Sequence, residues 1–127
     1  MKKKEKIKNY LLSKFIIRKI LSSFSKANPT PLFILGNPKS GTTIIANLIS
    51  KATNQSLTSD IKSHIKYITL LLDFKLLNFN DFIKKHKYEF SKEIIKEPFL
   101  SFYTEELITS FPNAKFIWIV RSPHQNI

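Results

Sequence analysis

An α/β fold with a mostly parallel sheet covered by helices is what this sequence predicts, on three observations. Apolar runs at Leu32–Leu35 and Lys115–Val120 have the length and composition of strands. Stretches of helical periodicity lie between them. The first run passes through Gly36-Asn-Pro-Lys-Ser-Gly41 directly into a further helical pattern.

The elements follow in order. Residues 1–26 read as a Lys-rich tip leading into a basic helix. Tyr10, Ile17, Ile20, Leu21 and Phe24 share one face, and Lys8, Lys14, Arg18 and Lys19 lie opposite. Leu11, Leu12 and Phe15 blur the basic side. Packing of the apolar face on the domain is the expected use of this helix. Ala27-Asn-Pro-Thr-Pro31 is a linker, because two prolines and an Asn stop a helix and favour an extended exit. Residues 27–127 then form the domain. Leu32–Leu35 is apolar on both faces, as expected at the centre of a parallel sheet. Thr42 to about Ala52 is a helix that should bury Ile45, Leu48 and Ile49. Ile61–Leu77 has the strongest helical stripe, through Ile61, Ile65, Ile68, Leu72 and Leu76. A further helix starts with Asn80 or Asp81 as N-cap and runs to about Phe90. Glu93–Lys96 is a short strand ended by Pro98, Tyr103–Ser110 a helix, and Lys115–Val120 the clearest strand.

Composition narrows the class. At 127 residues the chain is one domain at most, and 43% hydrophobic residues suffice for a core. With no cysteine there is no disulfide, thiolate metal site or Cys nucleophile. No stretch approaches the roughly 18 uncharged apolar residues of a membrane span, and charges at Lys14, Arg18 and Lys19 argue against a cleaved signal peptide. The formal charge of +12 is uneven: residues 1–26 carry nine basic residues and one acid, a net +8. A solvated basic helix is the plain reading, and peripheral contact with an anionic membrane stays open. The expected location is cytoplasmic, with no nucleic-acid partner indicated.

A strand turning tightly into a helix aims backbone N–H groups and the positive helix end at one point, which makes an anion site suited to phosphate. Lys39 adds a charge, Gly41 lets the backbone come close, and Ser40, Thr42 and Thr43 add hydroxyl donors. The triphosphatase pattern G-x-x-x-x-G-K-[ST] is not met, since Thr42 stands where Lys should follow the second Gly. No obvious acidic Mg²⁺ ligand follows a strand either. The loop therefore suits a donor with one phosphate and one transferable anionic group, and no metal is expected.

Pro38-Lys-Ser-Gly-Thr-Thr43 after an apolar strand resembles the 5′-phosphosulfate loop of the sulfotransferases that use 3′-phosphoadenylyl sulfate (PAPS). Phe116-Ile-Trp-Ile-Val-Arg-Ser-Pro123 is similar to that family's strand ending in an Arg for the donor's 3′-phosphate. Ile94-Ile-Lys-Glu-Pro98 and Glu105–Ala114 look like its linking segment, so the likeness runs from about Leu32 to the last residue. It implies a P-loop-type fold, with Ser40, Gly41, Thr42 and Thr43 on the 5′-phosphate and Arg121 on the 3′-phosphate. Lys39 would stabilise charge on the bridging oxygen as the sulfuryl group leaves, and Lys96 would lie near that group. Thr42 and Thr43 could instead cap the helix.

A base must also take the acceptor's proton. One branch of the family uses a His where Pro98 stands here. Another uses a Glu nineteen residues beyond the loop's last Gly, which falls on Asp60. The plainer role for Asp60 is N-cap of the 61–77 helix, and Glu97 is a second candidate base. The plainer roles for Lys96 and Arg121 are a solvated strand-end Lys and a surface salt bridge. His64 and His86 read as solvated. After the Arg-x-Pro turn the family shows a basic residue and Asp, where this chain has His124 and Gln125, and the family's Ser about eight residues past the Arg has no counterpart.

The function expected is sulfuryl transfer from PAPS to a hydroxyl or amine of a saccharide, lipid, peptide or small molecule. Its rivals are a P-loop kinase or nucleotide triphosphatase and a non-catalytic sulfotransferase remnant. The family's chains run to about twice this length. The expectation is thus a fold incomplete at the C-terminus and weak or no transferase activity for these 127 residues.

Overall fold

Strand β1, Leu32–Gly36, carries the apolar run of the sequence and one residue more. Phe33, Ile34 and Leu35 are fully buried, and a strand covered on both faces belongs inside a sheet. The computed structural model, which describes residues 3–61, 65–122 and 124 (of Leu12, Phe15, Arg18, Ile65 and Lys66 the backbone alone), places it there. The partners of β1 are β3, Ile94–Lys96, and β4, Lys115–Ile119. A two-residue strand β2, Leu57–Thr58, lies outside β3, giving the order β2-β3-β1-β4 with every pairing parallel. The α/β class is as expected. β2 was not, because two residues show no period.

Helices cover both faces of the sheet. On one side lies α2, Thr42–Thr53, whose Ala46 is buried against Ile34 and Ile94. Here the sequence expectation fails in detail: Ile49 is half-buried, but Ile45 and Leu48 are exposed. The inward stripe is Thr42, Ala46 and Ile49, because Thr42 is drawn in beneath Gly36 and sets the rotation of the helix.

On the other side, Phe33, Leu35 and Ile95 meet α3 (Ile65–Asp73), α4 (Phe79–Lys85), α5 (Lys87–Phe90), a 3₁₀ segment (Pro98–Tyr103) and α6 (Thr104–Ser110). The Phe33 ring stands edge-on to Phe111 at 5.3 Å and is stacked with Phe116 at 5.5 Å. The helix expected over 61–77 has Ile65–Asp73 as its described part. Ile61 is buried and non-helical, and its N–H donates to Glu97 Oε2 at 2.8 Å. At the other end Lys75 adopts φ 56° and stops the helix, leaving Leu76 exposed. The next helix is capped by Asn78, which accepts from the Asn80 N–H at 2.8 Å, rather than by Asn80 or Asp81. It breaks at His86, which separates α4 from α5. His86 is buried rather than solvated: its ring lies 4.9 Å from that of Phe82, and Nδ1 is 3.8 Å from Glu89 Oε2. His64, Pro123 and Gln125 lie outside the described residues.

Helix α1, Lys3–Phe24, touches α4 and α5. Its described buried residue is Ser22, while Tyr10, Ile17, Ile20, Leu21 and Phe24, the face expected to pack, are exposed. Among the described residues no helix is long and apolar enough to cross a membrane.

Candidate functional site

In an all-parallel sheet every strand delivers its C-terminus to the same edge, and ligands of such sheets bind there. Four sequence-predicted residues emerge at that edge: Lys39 after β1, Asp60 after β2, Lys96 at the end of β3 and Arg121 after β4.

The loop after β1 is a tight structure with two different glycine requirements. A Cβ on Gly36 would lie 2.8 Å from the carbonyl oxygen of Ile119 and 2.9 Å from Ser40 Oγ, so close backbone approach belongs to Gly36. Gly41 has φ 95° with nothing within 4 Å of an added Cβ, so its need is conformational and its outer side is open. Lys39 itself adopts φ 63°, a left-handed conformation costly for a residue with a Cβ. Its side chain is exposed. The Ser40 hydroxyl donates to the Asn37 carbonyl at 2.5 Å, and the Ser40 N–H points to the same oxygen at 3.2 Å. Ser40 therefore holds the turn in shape.

Helix α2 starts from Gly41 as N-cap, with no side chain capping it. The threonine caps weighed from sequence are not made: Thr42 is buried and Thr43 exposed, both already inside the helix. The first-turn N–H groups of a helix have no intrahelical acceptor, and an added Cβ on Gly41 at this helix start would meet nothing within 4 Å.

Arg121 comes back onto this loop. Its Nη1 donates to the Lys39 carbonyl at 3.3 Å, which uses one donor of a five-donor fork and leaves the exposed guanidinium others. Lys96 is 3% exposed and far from a solvated strand-end lysine. Its ammonium lies 2.8 Å from Asp60 Oδ1, so the acid is held by a buried charge; the N–H groups that Asp60 would cap at a helix start lie outside the described residues. Asp60 keeps a side chain 41% exposed, open to an approaching group.

Glu97 points to the opposite face from Lys96 and is buried. Its carboxylate accepts from the Ile61 N–H at 2.8 Å, fixing the residue next to Asp60. Burial pushes its carboxyl above the ordinary value; the Ile61 bond opposes this and the Asp60 charge adds to it.

The chain matches no protein-family model, no curated protein and no solved structure at a significant level. The site therefore rests on its own geometry.

Two members of this arrangement carry no sequence signal. Ser101, in the 3₁₀ segment, accepts from the Gly36 N–H at 3.0 Å and donates to the Gly36 carbonyl at 3.2 Å, clamping the start of the loop. The Asn37 carbonyl gathers the Ser40 donors. Among the described residues, no group of three or more His, Asp or Glu side chains could hold a metal ion.

Proposed function

We propose that this chain carries the donor site of a P-loop-type sulfotransferase, whose reaction moves a sulfuryl group from PAPS to a hydroxyl or amine, with the chain itself weakly active or inactive as expected above. The observation that carries the reading is the contact of Arg121 with the Lys39 loop. It brings the Arg121 guanidinium onto the backbone of the Lys39 loop, at the sheet edge where a donor with separate 5′ and 3′ phosphates would need cationic groups.

The residues present fit such a donor. A helix start with no side-chain cap, the open side of Gly41 and the exposed side chains of Lys39 and Arg121 lie together at this sheet edge. The N–H groups of Thr42 and Thr43 would hold the 5′-phosphate, and the Arg121 fork the 3′-phosphate. When bound, PAPS supplies an activated sulfuryl group on a phosphate oxygen. Lys39 would place positive charge at the bridging oxygen, where negative charge grows as the sulfur–oxygen bond breaks. Asp60 would accept the acceptor's proton as the new sulfur–oxygen bond to a hydroxyl, or sulfur–nitrogen bond to an amine, forms, while Lys96 keeps its carboxylate oriented. Thr42 in the place of the triphosphatase Lys weighs against nucleotide hydrolysis.

The test is calorimetric titration with adenosine 3′,5′-bisphosphate, a donor analogue that lacks the sulfuryl group. Lys39→Ala and Arg121→Ala should each weaken binding by about tenfold or more, the worth of one charge-assisted contact. Absence of binding, or binding indifferent to both substitutions, would sink the donor assignment.

A further inference from the structure

We infer that α1 is an interfacial anchor that lays its exposed apolar face on an anionic lipid surface. The inference is independent of the donor site. Over residues 10–24, Tyr10, Ile17, Ile20, Leu21 and Phe24 occupy one side of the helix and face solvent, Phe24 at 88% exposure. The helix meets the domain at its far end and side, through Ser22 and the chain near α4 and α5. The apolar stripe is thus directed away from the core rather than into it.

Charge selects the occupant. The first two turns of α1 carry Lys3, Lys4, Lys6 and Lys8 against Glu5 alone. Lysines there oppose the positive end of the helix dipole, so they weaken the isolated helix. A negatively charged surface turns the same placement into an attraction, worth about a fivefold gain in partition per basic residue close to it. Lys14 lies one turn on from Tyr10, on the apolar face rather than opposite it as expected from sequence, with its ammonium 4.8 Å from the centre of the Tyr10 ring. A second copy of α1 would meet the stripe with like charge, since residues 1–26 carry a net +8. A nucleic acid would use the lysines but leave the stripe in water. A bilayer of anionic lipid satisfies both, with apolar side chains sunk at the headgroup boundary and ammonium groups among the phosphates.

The experiment is flotation of the full chain with vesicles of phosphatidylcholine mixed with phosphatidylglycerol, against vesicles of phosphatidylcholine alone. The chain should partition at least about tenfold more strongly to the mixed vesicles. Ile17→Ser, Ile20→Ser and Phe24→Ser combined should lose about tenfold or more of that partition. Lys4→Gln with Lys8→Gln should lose about thirtyfold. All five positions are exposed, so circular dichroism and melting should show the fold retained. Equal or absent binding to the two vesicle types overturns the inference. So does a triple-Ser variant that binds like the parent, which would mark simple charge adsorption. A dimer in sedimentation equilibrium that the triple-Ser variant abolishes would assign the stripe to a second copy instead.

Discussion

Glu97 shows how a single buried carboxyl can organise a site and still strain the fold. Its bond to the Ile61 N–H orders the segment that presents Asp60, yet burial holds its pKa above the ordinary 4.5. For an acid raised on folding, the contribution to stability is fully present below the unfolded value and is lost as pH rises through the folded one. Glu97→Gln keeps an oxygen for Ile61 and removes the charge. Urea midpoints of the parent and this variant should coincide below pH 4.5 and diverge above it, the variant becoming the more stable. Parallel curves at all pH would show that the carboxyl carries no such cost. The loop pattern made Lys39 legible as a candidate from the residues themselves, whereas Asp60, and the phosphate role of Arg121, came from the resemblance to the sulfotransferases. Ser101 was not legible, since a hydroxyl in an irregular segment looks the same whether or not it clamps Gly36.

Elements were legible in kind and poorly so in orientation. The helical period at 42–53 is strong, and α2 forms there. Its rotation follows from Thr42 lodging beneath Gly36, so Ala46 is buried and Leu48 is exposed. Ala46→Leu should therefore cost about 2 kcal/mol by overpacking against Ile34 and Ile94. Leu48→Ser should change stability by less than about 0.5 kcal/mol. Chemical denaturation of both variants checks the assignment, and the reverse ranking would place Leu48 in the core. Helix α1 teaches the same lesson more sharply, because its best apolar face is the one turned to solvent.

At the scale of the molecule, the sheet has one well-covered half and one open side. β1 and β3 are buried on both faces, whereas β4 is an edge strand among the described residues, with Trp118 exposed in it and Val120 exposed just beyond it. An apolar edge with unpaired backbone groups is a template for association. Light scattering should show self-association that rises with protein concentration and is suppressed by Trp118→Lys. Association unchanged in that variant would locate the sticky surface elsewhere. The same parallel arrangement that leaves β4 at the edge carries Arg121 onto the Lys39 loop, across 82 positions of sequence.

Local sequence by itself determined the α/β class, the two longer strands and the tight strand-to-helix turn at 36–43. These depend on short-range sterics: apolar run length, proline and glycine backbone limits, and the N–H groups at a helix start. Tertiary structure alone decided that β2 exists, that Asp60 is held by the buried Lys96 amine, and which faces of α1 and α2 meet the core. The reason is that an apolar stripe states that a face can be buried, while the partner that buries it lies tens of residues away. In this chain the start of α2 was already anchored beneath Gly36, and that constraint outranked the stripe.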